Sequence, residues 1–154
     1  RIRAHRRDDI LMGTPDAQVA EATNRLGWML RELDGPGVRF SVLLSADGMR
    51  IAHSAGVRVD DAERFAAAAS GLQSLGKALS EFCGGPRNAV RQNMTEYDEG
   101  LIFITAAGEG ALLGVATTTA VDVGLVAHRM NELAARVGHE LGSEPRRGDG
   151  GSGT

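Results

Sequence analysis

The chain has 154 residues, of which 42% are hydrophobic and 24% are charged, the composition of one ordinary globular domain. Its net charge of −3 combines a basic start, in which residues 1–13 carry four arginines against two aspartates, with a remainder near −5. This acidic body disfavours nucleic-acid binding, which needs a cationic face, and no apolar run approaches the roughly 20 residues that cross a bilayer.

Residues 1–13 are expected to be a disordered leader or an expression remnant, and the folded domain is expected to span residues 14–142. Thr14 as N-cap and Pro15 at the first helical position predict a helix that continues to Leu33. Its apolar residues recur at steps of three and four. Trp28 falls on the opposite, polar face, so we interpret it either as a surface residue or as a contact for a partner.

Alternating apolar and polar residues predict the first strand from Val38 to Ser45. Asp47-Gly48 follows this strand directly and predicts a tight hairpin turn with a positive φ at both central residues. Met49–Ser54 then supplies the returning strand.

The second helix is predicted from about Asp60 to Cys83, ended by Gly84-Gly85-Pro86. One apolar face is expected to pack in the core, with Cys83 as a small core residue. The residues of this face are Phe65, Ala69, Leu72, Leu75, Leu79 and Cys83.

Three further strands are predicted, Ala89–Tyr97, Leu101–Ala107 and Ala111–Thr118, and they form an antiparallel meander. The first of them is polar and is expected at an edge of the sheet, whereas Leu101–Ala107 is apolar on both sides and is expected centrally, with helices on both faces. A last helix is predicted over 122–141, before a disordered tail at 143–154. The order of elements is therefore α-β-β-α-β-β-β-α.

Enzymatic chemistry finds little support in the sequence, and no catalytic, cofactor-binding or metal-binding residue is assigned. Gly71–Ala78 resembles a nucleotide-binding P-loop, but Ala78 replaces the magnesium-binding hydroxyl and the stretch is predicted to lie within a helix. His53, His128 and His139 stand at no spacing that implies a shared site. Since the single cysteine cannot form an internal disulfide, we expect a cytoplasmic protein, recruited to a membrane surface at most through partners.

A ridge of small residues on the second helix predicts a close crossing with another helix, although an alanine-rich sequence could produce the same pattern by chance. Because a two-fold axis brings such a ridge against itself, the ridge and the polar edge strand together predict a homodimer. The residues assigned to this interface are Ala67, Ser70, Gly71, Ser74 and Ala78 on the helix and Val90, Gln92 and Met94 on the strand.

Four segments in this order resemble the roadblock/LC7 family. They are Val42–Gly48, Ala68–Leu75, Ala106–Ala111 and Asp122–Val126. The amino-acid sequence of these segments is most similar to actinobacterial members of the family that are encoded beside a small Ras-like GTPase and a sensor-kinase-like protein. The resemblance implies an α/β domain of the α+β type. It would have a five-stranded antiparallel sheet with helices on both faces. The resemblance also implies a ten-stranded dimer whose surface engages a small Ras-like GTPase, with a sensor-kinase-like protein as a second partner.

The function predicted on these grounds is that of a non-enzymatic dimeric regulator of a GTPase in a bacterial signalling system. A small-molecule sensor of the PAS or GAF type remains an alternative, and an enclosed apolar cavity would favour it. A small hydrolase is the other alternative, and titratable groups gathered in a cleft would favour that one.

Overall fold

A computed structural model describes residues 15–84 and 90–142. The helices are α1 (Pro15–Met29), α2 (Val59–Leu79) and α3 (Val123–Gly142), with 3₁₀ turns at Leu30–Leu33 and Ser80–Cys83. The strands are β1 (Val38–Ser45), β2 (Arg50–His53), β3 (Gln92–Tyr97), β4 (Gly100–Ala106) and β5 (Ala111–Thr117). The predicted α+β order is confirmed. The expectations for Thr14, the two termini, Gly85-Pro86 and Ala89 lie outside the described residues.

The five strands form one antiparallel sheet in the order β2-β1-β5-β4-β3. β3 lies at an edge, as its polar sequence predicts. The central strand is β5, in which every residue is buried, so the expectation that Leu101–Ala107 lies centrally was wrong by one position. Helices cover both faces of β4 as well, and this is why its side chains are apolar on both sides.

Two apolar layers enclose the sheet. On one face, α1 and α3 pack over Leu43, Phe103, Leu113 and Val115. On the other face, α2 places three alanines over the sheet, and the residues of this second layer are Val42, Leu44, Ala62, Ala66, Ala69, Ile104 and Leu112. The fully buried side chains that α2 contributes to the second layer are alanines, whereas α1 and α3 contribute Leu, Met and Val to the first.

The first hairpin uses a three-residue loop, Ala46–Gly48, instead of the predicted two-residue turn. Ser45 N–H donates to Met49 O at 2.8 Å, and Gly48 N–H donates to Ser45 O at 2.9 Å. Gly48 has a φ of +96°, whereas Asp47 keeps a negative φ and places its carboxylate on the Ser45 hydroxyl. The prediction of positive φ at both residues was wrong, because one glycine after a turn suffices to close this loop.

The buried face of α2 differs from the predicted one. Its buried residues are Ala62, Ala66, Ala69 and Gln73, while Leu75, Leu79 and Cys83 are exposed. The helix lies so close to the sheet that the Phe65 ring contacts Gly114 in β5, where an added Cβ would lie 2.5 Å from Phe65 Cε1. Small side chains permit this approach, and the longer leucines are therefore displaced to the flank of the helix.

Ion pairs join α1 and its 3₁₀ turn to α3. Arg136 Nη1 donates to Glu32 Oε1 at 2.8 Å, and Arg25 Nε donates to Glu140 Oε2 at 2.9 Å. The hydrogen bond from Arg136 lowers the pKa of the Glu32 carboxyl and raises the pKa of the guanidinium. Since both side chains are about half exposed, solvent screens the pair and its stabilisation is modest.

We predict that Gly114→Ala lowers the free energy of unfolding by about 1–3 kcal/mol, because its methyl group overlaps the Phe65 ring. Urea denaturation measures the loss. Gly124→Ala is the control, since a Cβ there meets only Asp122 Oδ1 at 3.8 Å and should cost little. Adding Phe65→Leu to Gly114→Ala should recover part of the loss, and an unchanged stability of Gly114→Ala would contradict the close packing.

We further predict that Arg136→Ala lowers stability by at most about 1 kcal/mol at neutral pH. Because the folded-state pKa of Glu32 lies below its ordinary value of 4.5, this contribution is complete above pH 4.5 and disappears as the pH falls through the lowered pKa. An NMR titration of the Glu32 carboxyl should show the lowered pKa in the native chain and the ordinary one in Arg136→Ala. Equal values in both proteins would refute the pairing.

Candidate interaction surface

The edge strand β3 has a strand partner, β4, on one side only within the described part of the chain. Directly opposed residues of an antiparallel pair share a face of the sheet. Asn93 pairs with Ile104 and therefore lies on the α2 side, whereas Met94 pairs with Phe103 and lies on the side of α1 and α3. The outer backbone of β3 thus offers unpaired N–H and C=O groups between two differently covered faces.

An apolar groove of about 430 Å³ runs between α2 and the β3–β4 hairpin. Leu72 and Leu75 border it from the helix, and Tyr97 and Ile102 border it from the strands. Leu75 is 66% exposed, Leu79 one turn further along α2 is 63% exposed, and Tyr97 is 55% exposed. We call Leu72, Leu75 and Leu79 the leucine flank.

The sequence prediction assigned the whole leucine flank to the core. Leu72 does pack against the second layer, but Leu75 and Leu79 are exposed, and the width of the apolar arc could have shown this. Ala62, Ala66 and Ala69 already supply the stripe that one helix buries against a sheet. The leucines form a second stripe beside the first, and an arc wider than one contact face indicates a second contact.

The small-residue ridge of α2 is exposed along its whole length, at Ala67, Gly71, Ser74 and Ala78. No atom of residues 15–84 and 90–142 lies within 4 Å of a Cβ built at Gly71, which also borders the apolar groove. Ser70 differs from the ridge, because it is half-buried and its hydroxyl donates to Ala46 O at 2.6 Å. Ser70 therefore joins α2 to the first hairpin, and a role for the ridge in dimerisation stays a prediction.

Of the three interface residues predicted near β3, Val90 and Gln92 line an open groove together with Gly76 and Leu79 of α2, whereas Met94 does not. Val90 is half-buried, and its Cγ2 lies 3.2 Å from a Cβ built at Gly76. Gln92 and Met94 are exposed, but their register places them on the sheet face opposite α2. Gln92 and Met94 therefore do not share a face with the small-residue ridge of α2. They adjoin the α2 side only across the outer edge of β3.

Trp28 is 69% exposed on α1, as its place on the polar face predicts. The guanidinium carbon of Arg31 lies 5.5 Å from the ring centroid, within range of a cation–π contact. This pair lies on the helical layer opposite α2. Its use as a partner contact stays a prediction.

The P-loop-like stretch lies inside α2, so its backbone N–H groups are bonded within the helix and are not free to surround a phosphate. His128 Nε2 faces Glu132 at 3.3 Å on the surface of α3, and His53 Nδ1 contacts the neighbouring Ser54 O at 2.8 Å.

Within residues 15–84 and 90–142 there is no group of three or more His, Cys, Asp or Glu side chains that could hold a metal ion. Nor does any helix of that part have the length and apolarity to cross a membrane.

The Roadblock/LC7 domain model matches residues 28–117, which is more than half of the chain. The chain belongs to the roadblock/LC7 family. One roadblock/LC7 domain from Streptomyces avermitilis is 33% identical with a TM-score of 0.69, over 75% of this chain and 96% of the other. A second from that organism is 38% identical with a TM-score of 0.59, over 73% and 97%. The family predicted from the sequence is confirmed.

Myxococcus xanthus MglB has the same fold, with a TM-score of 0.69 at 16% identity over 84% of this chain and 94% of MglB. A search of curated proteins found no match.

The apolar groove is open to solvent beside Leu75 and Tyr97. It is therefore not the enclosed cavity that a small-molecule sensor of the PAS or GAF type would need.

Proposed function

We propose that this roadblock/LC7 chain is a non-enzymatic homodimeric regulator of a small Ras-like GTPase. The observation that supports dimerisation most strongly is the leucine flank beside the open edge of β3. The GTPase as partner is supported by family membership, and a sensor-kinase-like protein is the further partner that the resemblance implies.

The exposed leucines favour a second copy of this chain as the occupant of the groove. Burying apolar surface contributes about 25 cal/mol per Å², so two leucines and a tyrosine left in water carry a considerable cost. A β3 edge facing its symmetry mate would satisfy the outer N–H and C=O groups of both strands and extend the sheet to ten strands. Two-fold pairing also closes the assembly, whereas an unpaired edge invites open-ended aggregation.

Gly71 supports a close approach of the two α2 helices. It borders the groove together with Leu72 and Leu75, and no described residue of its own chain occupies the space above it. A glycine inside a helix costs about 1 kcal/mol relative to alanine, and a backbone contact with a partner helix would offset that cost. The ridge and the leucine flank would then form adjoining parts of one interface.

The proposed mode of action is binding through surfaces. The P-loop-like stretch lies within a helix, and the histidines of the described residues form no group of three or more with Cys, Asp or Glu side chains that could hold a metal ion. The dimer would present a two-fold platform on the α2 side, with Trp28 on the other layer as an additional contact for a partner.

We predict that Leu75→Glu yields a folded monomer. The side chain is already 66% exposed within one chain, so the charge costs little there, but it would be buried without a partner in the dimer. Light scattering at about 50 μM should give the dimer mass for the native chain and half of it for the variant, with an unchanged circular dichroism spectrum.

Met49→Glu is the matched control, because Met49 is also 66% exposed but lies at the β1–β2 hairpin. This control should remain dimeric. Gly71→Leu should also dissociate the dimer, whereas Lys77→Leu, at an exposed position on another side of α2, should not. A monomeric native chain, or a Leu75→Glu variant that stays dimeric, would refute the interface.

The GTPase proposal has its own test. Immobilised chain should retain a small Ras-like GTPase of the same organism, with a preference for either the GDP-loaded or the GTP-analogue-loaded state. If Trp28 contacts the partner, Trp28→Ala should weaken retention about tenfold or more without changing the dimer mass. The chain alone should hydrolyse no GTP. Retention of no small GTPase in either nucleotide state would refute the proposed function even if the dimer is confirmed.

A further inference from the structure

A groove of about 720 Å³ lies at the N-terminal end of α2. Three arginines line it, Arg39, Arg58 and Arg64, together with the single carboxylate of Asp61. The lining residues therefore carry a net charge of +2, in a chain whose net charge is −3. The groove is therefore positively charged although the net charge of the whole protein is negative.

The three arginines come from three different pieces of backbone. Arg39 lies in β1, where the pairing with β5 is irregular between Val38 and Phe40. Arg58 precedes α2 with an extended backbone (φ −80°, ψ 154°). Arg64 lies in the second turn of α2, where its Nη2 binds Asp61 Oδ1 at 2.7 Å.

Two of these guanidinium groups are free to bind a ligand. Within the described residues Arg39 and Arg58 form no ion pair, and both are exposed. The loop before α2 also packs tightly beside them, because a Cβ at Gly56 would lie 2.5 Å from Arg39 O. The first turn of α2 carries the carboxylates of Asp60 and Asp61, which offset the partial positive charge of the helix end, so the positive charge of the groove comes from the arginines.

The floor of the groove is aromatic. The rings of Phe40 and Phe65 meet edge to face, with their centroids 5.3 Å apart and their planes at 80°. Both residues line the groove and are only partly buried. An apolar side chain could therefore pack on the rings while an anionic neighbour reaches the arginines.

We propose that this groove binds an acidic segment of a partner protein, in which carboxylates pair with Arg39 and Arg58 and an adjacent apolar side chain packs on Phe40 and Phe65. Guanidinium groups bind carboxylates through paired, charge-assisted hydrogen bonds. The aromatic floor favours a peptide over a free anion, because a free anion would leave the rings uncovered. The groove is complete within one chain, so the proposal goes beyond the proposed function and does not depend on the dimer.

The test is an NMR titration of the full chain with the peptide Glu-Asp-Leu-Glu-Asp-Leu. Amide shifts should concentrate in residues 38–40 and 56–65, and the Kd should increase steeply between 50 and 300 mM salt as the charges are screened. The double substitution Arg39→Gln and Arg58→Gln should weaken binding about tenfold or more. Arg129→Gln, which changes an exposed arginine on α3, should leave the Kd unchanged.

The proposal is overturned if the peptide causes no shifts at about 1 mM, or if the double variant binds it equally well. It is also overturned if Gln-Asn-Leu-Gln-Asn-Leu binds as tightly, or if inorganic phosphate at the same concentration reproduces the shifts. Thermal unfolding of the double variant verifies that it is folded. Light scattering on the same samples measures the dimer mass. A loss of peptide binding can therefore be distinguished from a loss of dimerisation.

Discussion

The close approach of α2 to the sheet determines which parts of this protein are core and which are surface. Ala62, Ala66 and Ala69 bring the helix down onto β1 and β5, and Gly114 gives the Phe65 ring a place beneath it. A helix held at this distance cannot also turn its leucines inward. Leu75 and Leu79 therefore lie on the flank toward β3, and a second set of small residues, including Gly71, lies on the exposed side of the helix.

The two faces of the sheet consequently have different roles. On one face, α1 and α3 cover the strands with large side chains, and ion pairs such as Glu32–Arg136 connect the two helices across the surface. On the other face, a single helix covers only part of the sheet, and open grooves remain beside it at its start, along the β3–β4 hairpin and at its end. The larger set of buried apolar side chains lies in the first layer, and the apolar and arginine-lined grooves lie beside the second.

This division suits a protein that acts by binding. The apolar groove beside β3 combines leucines and a tyrosine with a strand edge that has no strand partner among the described residues. The groove at the start of α2 has a different chemistry, with free guanidinium groups above aromatic rings. Two surfaces of such different character, within one roadblock/LC7 domain, would let a chain assemble with its own copy through one and recruit an acidic partner through the other.

The order of elements, the edge position of β3 and the helical state of Gly71–Ala78 could all be predicted from the sequence, because local periodicity and turn residues determine them. The family could be predicted from four short segments. The buried face of α2 could not, because alanine and leucine stripes lie side by side on that helix and only its distance from the sheet decides between them. The arginine groove also required the tertiary structure, since Arg39 and Arg58 are 19 positions apart and meet only because the hairpin and its following loop return the chain to β1.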